Sequence, residues 1–440
     1  MPLFTAASCP PGLPPAQPKI STTRDQHISR TRTGAPMLST KSAETVRATL
    51  PAVGSAIGEI TPLFYDKMFA AHPELLRDLF NRGNQANGSQ RQALAGSIAT
   101  FATYLVEHPD ERPDAMLERI AHKHASLGIR ADQYPIVHKH LFEAIVEVLG
   151  DAVTEEVATA WDEVYWLMAN ALIAIEQRLY EAAGTPGGDV WREYRVTGRF
   201  QETDDVATFV VQPVDGGPLP ASRPGQYVSV QVELPDGAHQ IRQYSLSGQP
   251  DAGLQFSVKR VTGDAAGSPA GEVSNHLHDH VQGGEVLRLS APFGDVVLDE
   301  GDRPLLFASA GIGCTPMIGM LSRLAADGSA RRVVSVHADR SPYTHAFRAE
   351  LRQLTGKLDN ATAEVWYEQP EAGADGDSGS DALTVHEGLI DLSRVDVPAG
   401  AIAYLCGPVP FMKAARAQLL EAGVPAADIH YEVFGPDLGL

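Results

Sequence analysis

The sequence predicts a multidomain chain made of an all-α unit, an antiparallel β-barrel and a parallel α/β unit, in that order. Three observations predict it. Apolar residues recur at three- and four-residue spacing from about 39 to 183. Short β-branched runs between Gly, Pro and Asp turns follow from 189. From about 303, short apolar strands alternate with helical stretches. At 440 residues the chain is too long for one hydrophobic core, so two to four domains are expected.

Residues 1–38 are rich in Pro, Ser, Thr and Arg and lack apolar periodicity. Such a segment cannot bury enough surface to offset its ordering entropy, so it is expected to be disordered. Met37, just ahead of the first periodic segment, is a second candidate for the start of translation. The helical unit, 39–184, holds SAETVRATLPAVG, EITPLFYDKMFAAH, RQALAGSIATFATYL, DAMLERIAHKHASLG, YPIVHKHLFEAIVEVLG and EEVATAWDEVYWLMANALIAIEQRLYEA, hence six or more helices. AAGTPGGD is a linker. YRVTGRF, ATFVVQPV, QYVSVQVEL, LQFSVKRV and EVLRLSAP are strands of the barrel unit, 188–298. LLFASA, RVVSVHA, AEVWYEQ and AIAYLCG are strands of the α/β unit, 302–440, and the acidic Gly/Ser stretch near 375 is a solvated loop.

The bulk numbers exclude several classes. A net charge of −20 opposes non-specific binding to nucleic acid or to anionic membranes. Cys9, Cys314 and Cys406 have no metal-ligand spacing and make no disulfide framework, which suits a reducing compartment. No apolar run approaches the roughly 20 residues of a membrane-spanning helix, and no secretory signal is evident. A cytoplasmic protein without stable membrane insertion is expected, acting as a monomer.

FYDKMF, LLRDLFN, NQANGSQRQAL and AHKHASLG, in that order, resemble the globin domain of flavohaemoglobins across the whole helical unit. RQYSL resembles the flavin motif of the ferredoxin-reductase family. The resemblance implies haem b, FAD and NAD(P)H as cofactors, and a Rossmann-like fold for the last unit. It implies nitric oxide dioxygenase activity, in which nitric oxide and oxygen become nitrate. Two rivals share much of this pattern: a gas-binding or sensing globin, and a reductase of ferric ions or hydroperoxides. A pure carrier, however, needs no attached hydride-accepting module.

A haem iron held by one histidine needs an imidazole on an apolar helix face. At helical geometry His124 falls in register with Leu117, Ile120 and Leu127, while His122 points roughly 200° away. A core histidine satisfied by a backbone carbonyl would show the same register. Val164, Met168, Leu172 and Glu176 recur every four residues, which sets an acid on an apolar face or at its edge. By resemblance, His124 is the proximal iron ligand, and Glu176 and Tyr134 form its hydrogen-bond network. Tyr65 is the distal tyrosine, Gln90 and Leu94 are distal-helix positions, and Phe80 packs on the porphyrin. A tyrosine such as Tyr65 can also be plain core packing.

In the second unit, Arg242 offers a fork to pyrophosphate, Tyr244 a flat face to the flavin, and Ser245 a donor near the ring, with Gln243 between them. PGQYV adds Tyr227 as a second flavin contact. GEVSNHL places Gly271 and Ser274 at a helix start whose free amides suit the FAD pyrophosphate. In AGIGCTPM, Gly311 and Gly313 allow close approach of a dinucleotide phosphate and Pro316 suits a first helical turn, with Ile312, Cys314 and Thr315 between. In YLCGP, Cys406, Gly407 and Pro408 are expected beside the nicotinamide, Cys406 as packing and not as a nucleophile. HYEVFGP resembles the family's flavin-covering tail, with Glu432, Val433, Phe434, Gly435 and Pro436. Family members often carry cysteine at Val433 and glutamine at Cys314. Lys123 and Glu432 are implied to tune the haem and flavin potentials. Asp339 could bond a ribose and favour NADH, whereas Arg340 could meet a 2′-phosphate; the balance leans to NADH.

Overall fold

Ser39 opens the packed helices. Its hydroxyl oxygen accepts from the Ser42 amide, and its own amide and hydroxyl donate to Glu163. The computed structural model describes residues 37–86, 88–248, 253–263, 269–370 and 383–435, without the side chains of 86, 89–93 and 95. The amino-terminal segment to residue 36, the Gln90 side chain, the acidic loop near 375 and Pro436 therefore lie outside the described residues. Met37 and Leu38, assigned to the extension on sequence, pack with the helices: the Met37 amide donates to Pro109 and Leu38 is buried.

The first two periodic segments join into one helix, α1 (Thr40–Ala71), with Pro51 and Pro62 inside it. Proline removes a helical donor and crowds the preceding turn. The buried stripe Val46, Val53, Ile60, Phe64 and Met68 nevertheless runs unbroken along it, so tertiary burial outweighs local propensity. Then follow α2 (Pro73–Asp78), α3 (Arg82–Ala86), α4 (Ser89–Glu107), α5 (Asp114–Leu127), α6 (Tyr134–Leu149) and α7 (Glu155–Ala182). Phe101, Leu105, Leu117, Trp161, Leu172 and Ile175 form one core of this unit, and Ile60, Phe64, Met68 and Leu141 a second.

The next unit is a six-stranded antiparallel sheet: β1 (Trp191–Thr203), β2 (Val206–Pro213), β3 (Tyr227–Glu233), β4 (His239–Ser245), β5 (Leu254–Lys259) and β6 (Val286–Ser290), in spatial order β4-β3-β6-β1-β2-β5. The outer strands meet through a Leu246–Phe256 bridge and a Ser247 amide donating to Gln255, which closes the sheet on itself. Helix α8 (Glu272–His280) lies before β6.

The last unit is a parallel sheet of β7 (Leu305–Ala310), β8 (Val333–Asp339), β9 (Ala361–Tyr367), β10 (Leu383–Glu387), β11 (Ile402–Cys406) and β12 (Ile429–Glu432), in order β10-β9-β8-β7-β11-β12. Helices α9 (Cys314–Ala326), α10 (Arg348–Gly356) and α11 (Val409–Glu421) connect them. A buried apolar cluster covers each face of the sheet. Among the described residues no helix is long and apolar enough to cross a membrane.

Candidate functional site

A cavity of about 1830 Å³ runs from the interior of the helical unit to β4 and the start of α8. Its helical part is lined by apolar side chains of α1, α4 and α6, among them Ile60, Phe64, Leu94, Ile136 and Leu141. Helix α5 presents His124 to this cavity. The Nδ1 of His124 lies 2.8 Å from Glu176 Oε1 and 3.1 Å from the Tyr134 hydroxyl, and that hydroxyl donates to the same Oε1 at 2.6 Å. A carboxylate only accepts, so the network sets the proton on Nδ1 and leaves the Nε2 lone pair free. His124 is 33 % exposed while Glu176 behind it is 2 % exposed. No protein group partners Nε2 among the described residues, which is the arrangement of a metal-ligating imidazole with a carboxylate behind it. Burial, with the Glu176 charge beside it, pushes the Tyr134 phenol well above its ordinary pKa, so this hydroxyl stays a donor.

Tyr65, Phe80 and Leu94 line the same cavity. The Tyr65 ring lies 5.5 Å from Phe69 and 5.9 Å from Phe80, edge-on to the latter. His122, turned the other way as its helical position requires, accepts a hydrogen bond from the Gly294 amide at 3.0 Å on the barrel unit. Desolvation there lowers its pKa. Ser126 of the same helix accepts from Ser229 at 3.0 Å. One face of α5 thus builds the cavity and the other docks the barrel.

On the barrel side, Tyr227, Arg242, Gln243, Tyr244, Ser245, Gly271 and Ser274 all line the cavity. The Arg242 guanidinium makes one hydrogen bond, to the Ile241 carbonyl, and pairs with no carboxylate among the described residues. Loss of solvent lowers its pKa. A cation so placed is an anion receptor. Ser245 Oγ is buried with no partner, so a hydroxyl also awaits a ligand there. Gly271, the N-cap of α8, makes no side-chain cap, and a Cβ on it would fall 2.6 Å from Ser274 Oγ. The Ser274 hydroxyl itself serves the turn, donating to Gly271 O and accepting from the Val261 amide.

Ile312 and Thr315 of the α/β unit reach the cavity, and Glu432, Val433, Phe434 and Gly435 line it too. Gly311, Gly313, Cys314, Pro316, Cys406, Gly407 and Pro408 gather at the carboxyl ends of β7 and β11, where open parallel sheets bind ligands. A Cβ on Gly313 would sit 2.4 Å from the Cys406 carbonyl, so only glycine lets the two loops meet. Cys406 is fully buried and burial pushes its thiol pKa up, as it does for Cys314. Neither is a nucleophile. The Asp339 side chain is 5 % exposed and turned inward, accepting from the Thr344 hydroxyl and the Arg340 amide. Its other oxygen, Oδ2, is buried without a hydrogen-bond partner, 3.5 Å from His337 Nε2. Arg340 is exposed.

Sequence reasoning named Lys123 but not its partner, and missed the other residues that join the units. Lys123 donates to the Gly435 carbonyl at 2.8 Å, and Arg119 lies over the Tyr431 ring at 4.2 Å. Gln240, Asp78 and Arg82 join the helices to the barrel. Single polar residues of this kind carry no periodic signal.

The chain matches known proteins over nearly all its length. Residues 63–172 match the globin family and residues 307–417 the oxidoreductase NAD-binding domain. It is 44 % identical over 415 residues to a flavohaemoprotein of Chromobacterium violaceum, covering 92 % of this chain and 100 % of that one. It is 43 % identical over 411 residues to that of Bordetella pertussis, covering 91 % and 99 %. Among solved structures it is similar to the flavohaemoglobin of Malassezia yamatoensis with bound FAD and haem, at 37 % identity and TM-score 0.81 over 90 % of this chain and 100 % of that one. It is also similar to the FAD/NAD-binding domain of the nitric oxide dioxygenase of Vibrio cholerae, at 36 % identity and TM-score 0.50 over 56 % and 99 %. With a globin unit, an antiparallel barrel and an NAD-binding α/β unit in one chain, and this likeness along its length, the protein belongs to the flavohaemoglobin (flavohaemoprotein) family.

Proposed function

We propose that the chain is an NAD(P)H-dependent nitric oxide dioxygenase that uses haem b and FAD, acting as a monomer in the cytoplasm. The observation that carries this is the free His124 Nε2, backed by Glu176 and Tyr134, in a cavity continuous with Arg242 and Ser245. Likeness to the Vibrio cholerae protein, itself named a nitric oxide dioxygenase, supports it.

The residues present fit both prosthetic groups. An apolar cavity with one free imidazole suits haem, while the acid-free Arg242, the orphaned Ser245 hydroxyl and the uncapped α8 terminus suit FAD. When bound, the flavin takes a hydride from NAD(P)H and yields electrons singly, and the haem iron is where oxygen and nitric oxide combine to nitrate.

His124 would hold the iron through Nε2. Glu176 and Tyr134 fix its ring and keep the proton on Nδ1, so the imidazole is a stronger electron donor. Tyr65 would aim a hydroxyl donor at the ligand side of the pocket, beside Leu94, while Phe80 packs against the ring; a distal-helix role for Gln90 rests on the family resemblance. Arg242 and the amides after Gly271 would meet the FAD pyrophosphate, and Tyr227, Gln243, Tyr244 and Ser245 the flavin. Gly311, Ile312, Gly313, Cys314, Thr315 and Pro316, with Cys406, Gly407 and Pro408, would seat NAD(P)H. Glu432, Val433, Phe434, Gly435 and Pro436 would cover the flavin, and Lys123 and Glu432 would set the local charge. NADH is the expected donor.

Stopped-flow mixing of the reduced, oxygen-equilibrated protein with nitric oxide tests the reading. Stoichiometric nitrate within milliseconds is expected. Slow ligand release without nitrate would instead mean a sensor, and turnover on peroxides alone a reductase.

A further inference from the structure

Gln240 lies on β4, two residues before Arg242, and is 0 % exposed. Its side chain leaves the barrel and enters the helical unit. The Nε2 group donates to the carbonyls of Leu76, Arg77 and Phe80 at 3.4, 3.1 and 3.3 Å, and Oε1 accepts from the Arg82 amide at 3.2 Å. The last carbonyls of a helix and the first amides of the next have no partner within their own helices. Here one glutamine from another unit caps the end of α2 and the start of α3 together. The stretch it brackets, Leu79, Phe80 and Asn81, lines the same cavity as His124. The same stretch is pinned on both sides. Asp78 accepts from the His239 amide at 3.1 Å, and Arg82 pairs with Asp236 at 2.6 Å and with Glu272, the first residue of α8, at 2.8 Å.

We infer that Gln240 is a positioning residue that sets the distal wall of the haem cavity from the flavin-binding strand, so that the two cofactor sites are held in one geometry. This rests on haem and FAD binding as proposed above. Phe80 is held by its own amide donating to Leu75, by its ring packing on Tyr65 and Phe69, and by the Gln240 contact to its carbonyl, the one of these that β4 supplies.

Two variants test this in the cofactor-loaded protein. In Gln240→Ala, association of carbon monoxide with the reduced haem should change by about tenfold, the scale of one or two lost net hydrogen bonds. Flavin-to-haem electron transfer should slow similarly, with reduction of the flavin by NADH unaltered. Gln240→Glu keeps the size but, when ionised, faces three carbonyls with an acceptor. It should behave as Gln240→Ala at high pH and return toward wild type as pH falls and the carboxyl regains a proton to donate. A merely structural role would not produce that pH profile. Carbon monoxide kinetics in Gln240→Glu within twofold of wild type at every pH overturn the proposal. Neither readout requires nitrate formation, so that result would leave the proposed reaction standing.

Discussion

His124 and His122 sit two residues apart and meet opposite surroundings: a cavity and a carboxylate for one, a barrel amide for the other. His124→Ala should therefore lose stable haem binding, and His122→Ala should retain it; equal haem content in the two purified variants would remove the assignment. Tyr65 lines the same cavity. Tyr65→Phe deletes one hydroxyl donor and keeps the packing surface. A hydrogen bond to a charged or strongly polarised ligand is worth roughly 1.5–3 kcal/mol, so oxygen affinity of the reduced protein should fall about 10- to 150-fold. Oxygen dissociation within twofold of wild type would make Tyr65 a core residue. Arg242→Ala should release FAD and stop NADH-driven haem reduction while chemically reduced haem still binds oxygen. At this scale the sequence was most legible for the two histidines, which helical register alone separates, while it left Glu176 on the apolar face or at its edge and the structure buries it. It was least legible for Asp339, the last residue of β8, a position that does not say which way its carboxylate turns.

Helix α5 shows why an element can be read correctly yet incompletely. Its apolar stripe marks one buried face, but the second buried face is polar: His122, Ser126, Lys123 and Arg119 all make contacts outside the helical unit. Polar docking has no periodic signature, so nothing in the sequence marked this face as buried. The same physics hid β10, a short edge strand whose Thr384, His386 and Glu387 break the apolar pattern, and merged two segments into α1 across Pro51 and Pro62. The buried face of α5 has a pH consequence. Desolvation holds His122 below its ordinary value of 6.5, and burial does the same to His345. The unfolded chain then takes up protons at higher pH than the folded one. The stabilisation is complete above about pH 6.5 and is lost as pH falls through the lowered folded values. The midpoint of thermal unfolding should drop between pH 7 and pH 5, with a shallower drop in His122→Gln. An identical slope in that variant would show that this contact does not titrate with unfolding.

Across the whole molecule, the three units and their order were legible because each has its own hydrophobic period, while their mutual arrangement was not. That arrangement rests on single polar contacts such as Lys123 to Gly435 and Arg119 over Tyr431. These part-buried contacts together tie the carboxyl tail to the helix bearing His124. Arg119→Ala should raise amide hydrogen exchange across residues 431–435 severalfold and leave α5 itself protected. Unchanged exchange in the tail would mean that β12 pairing alone holds it.

The bracket around Phe80 also has a consequence in time. Its cap comes from a residue 158 positions further along the chain, and the tail contact of Arg119 from one 312 positions further. At roughly 5–20 residues per second of synthesis, the ends of α2 and α3 wait about 8–30 s for their partner, and α5 waits about 15–60 s. On the ribosome the helices of the globin unit are made first, and the Gln240 contacts at the ends of α2 and α3 can form only after β4 emerges.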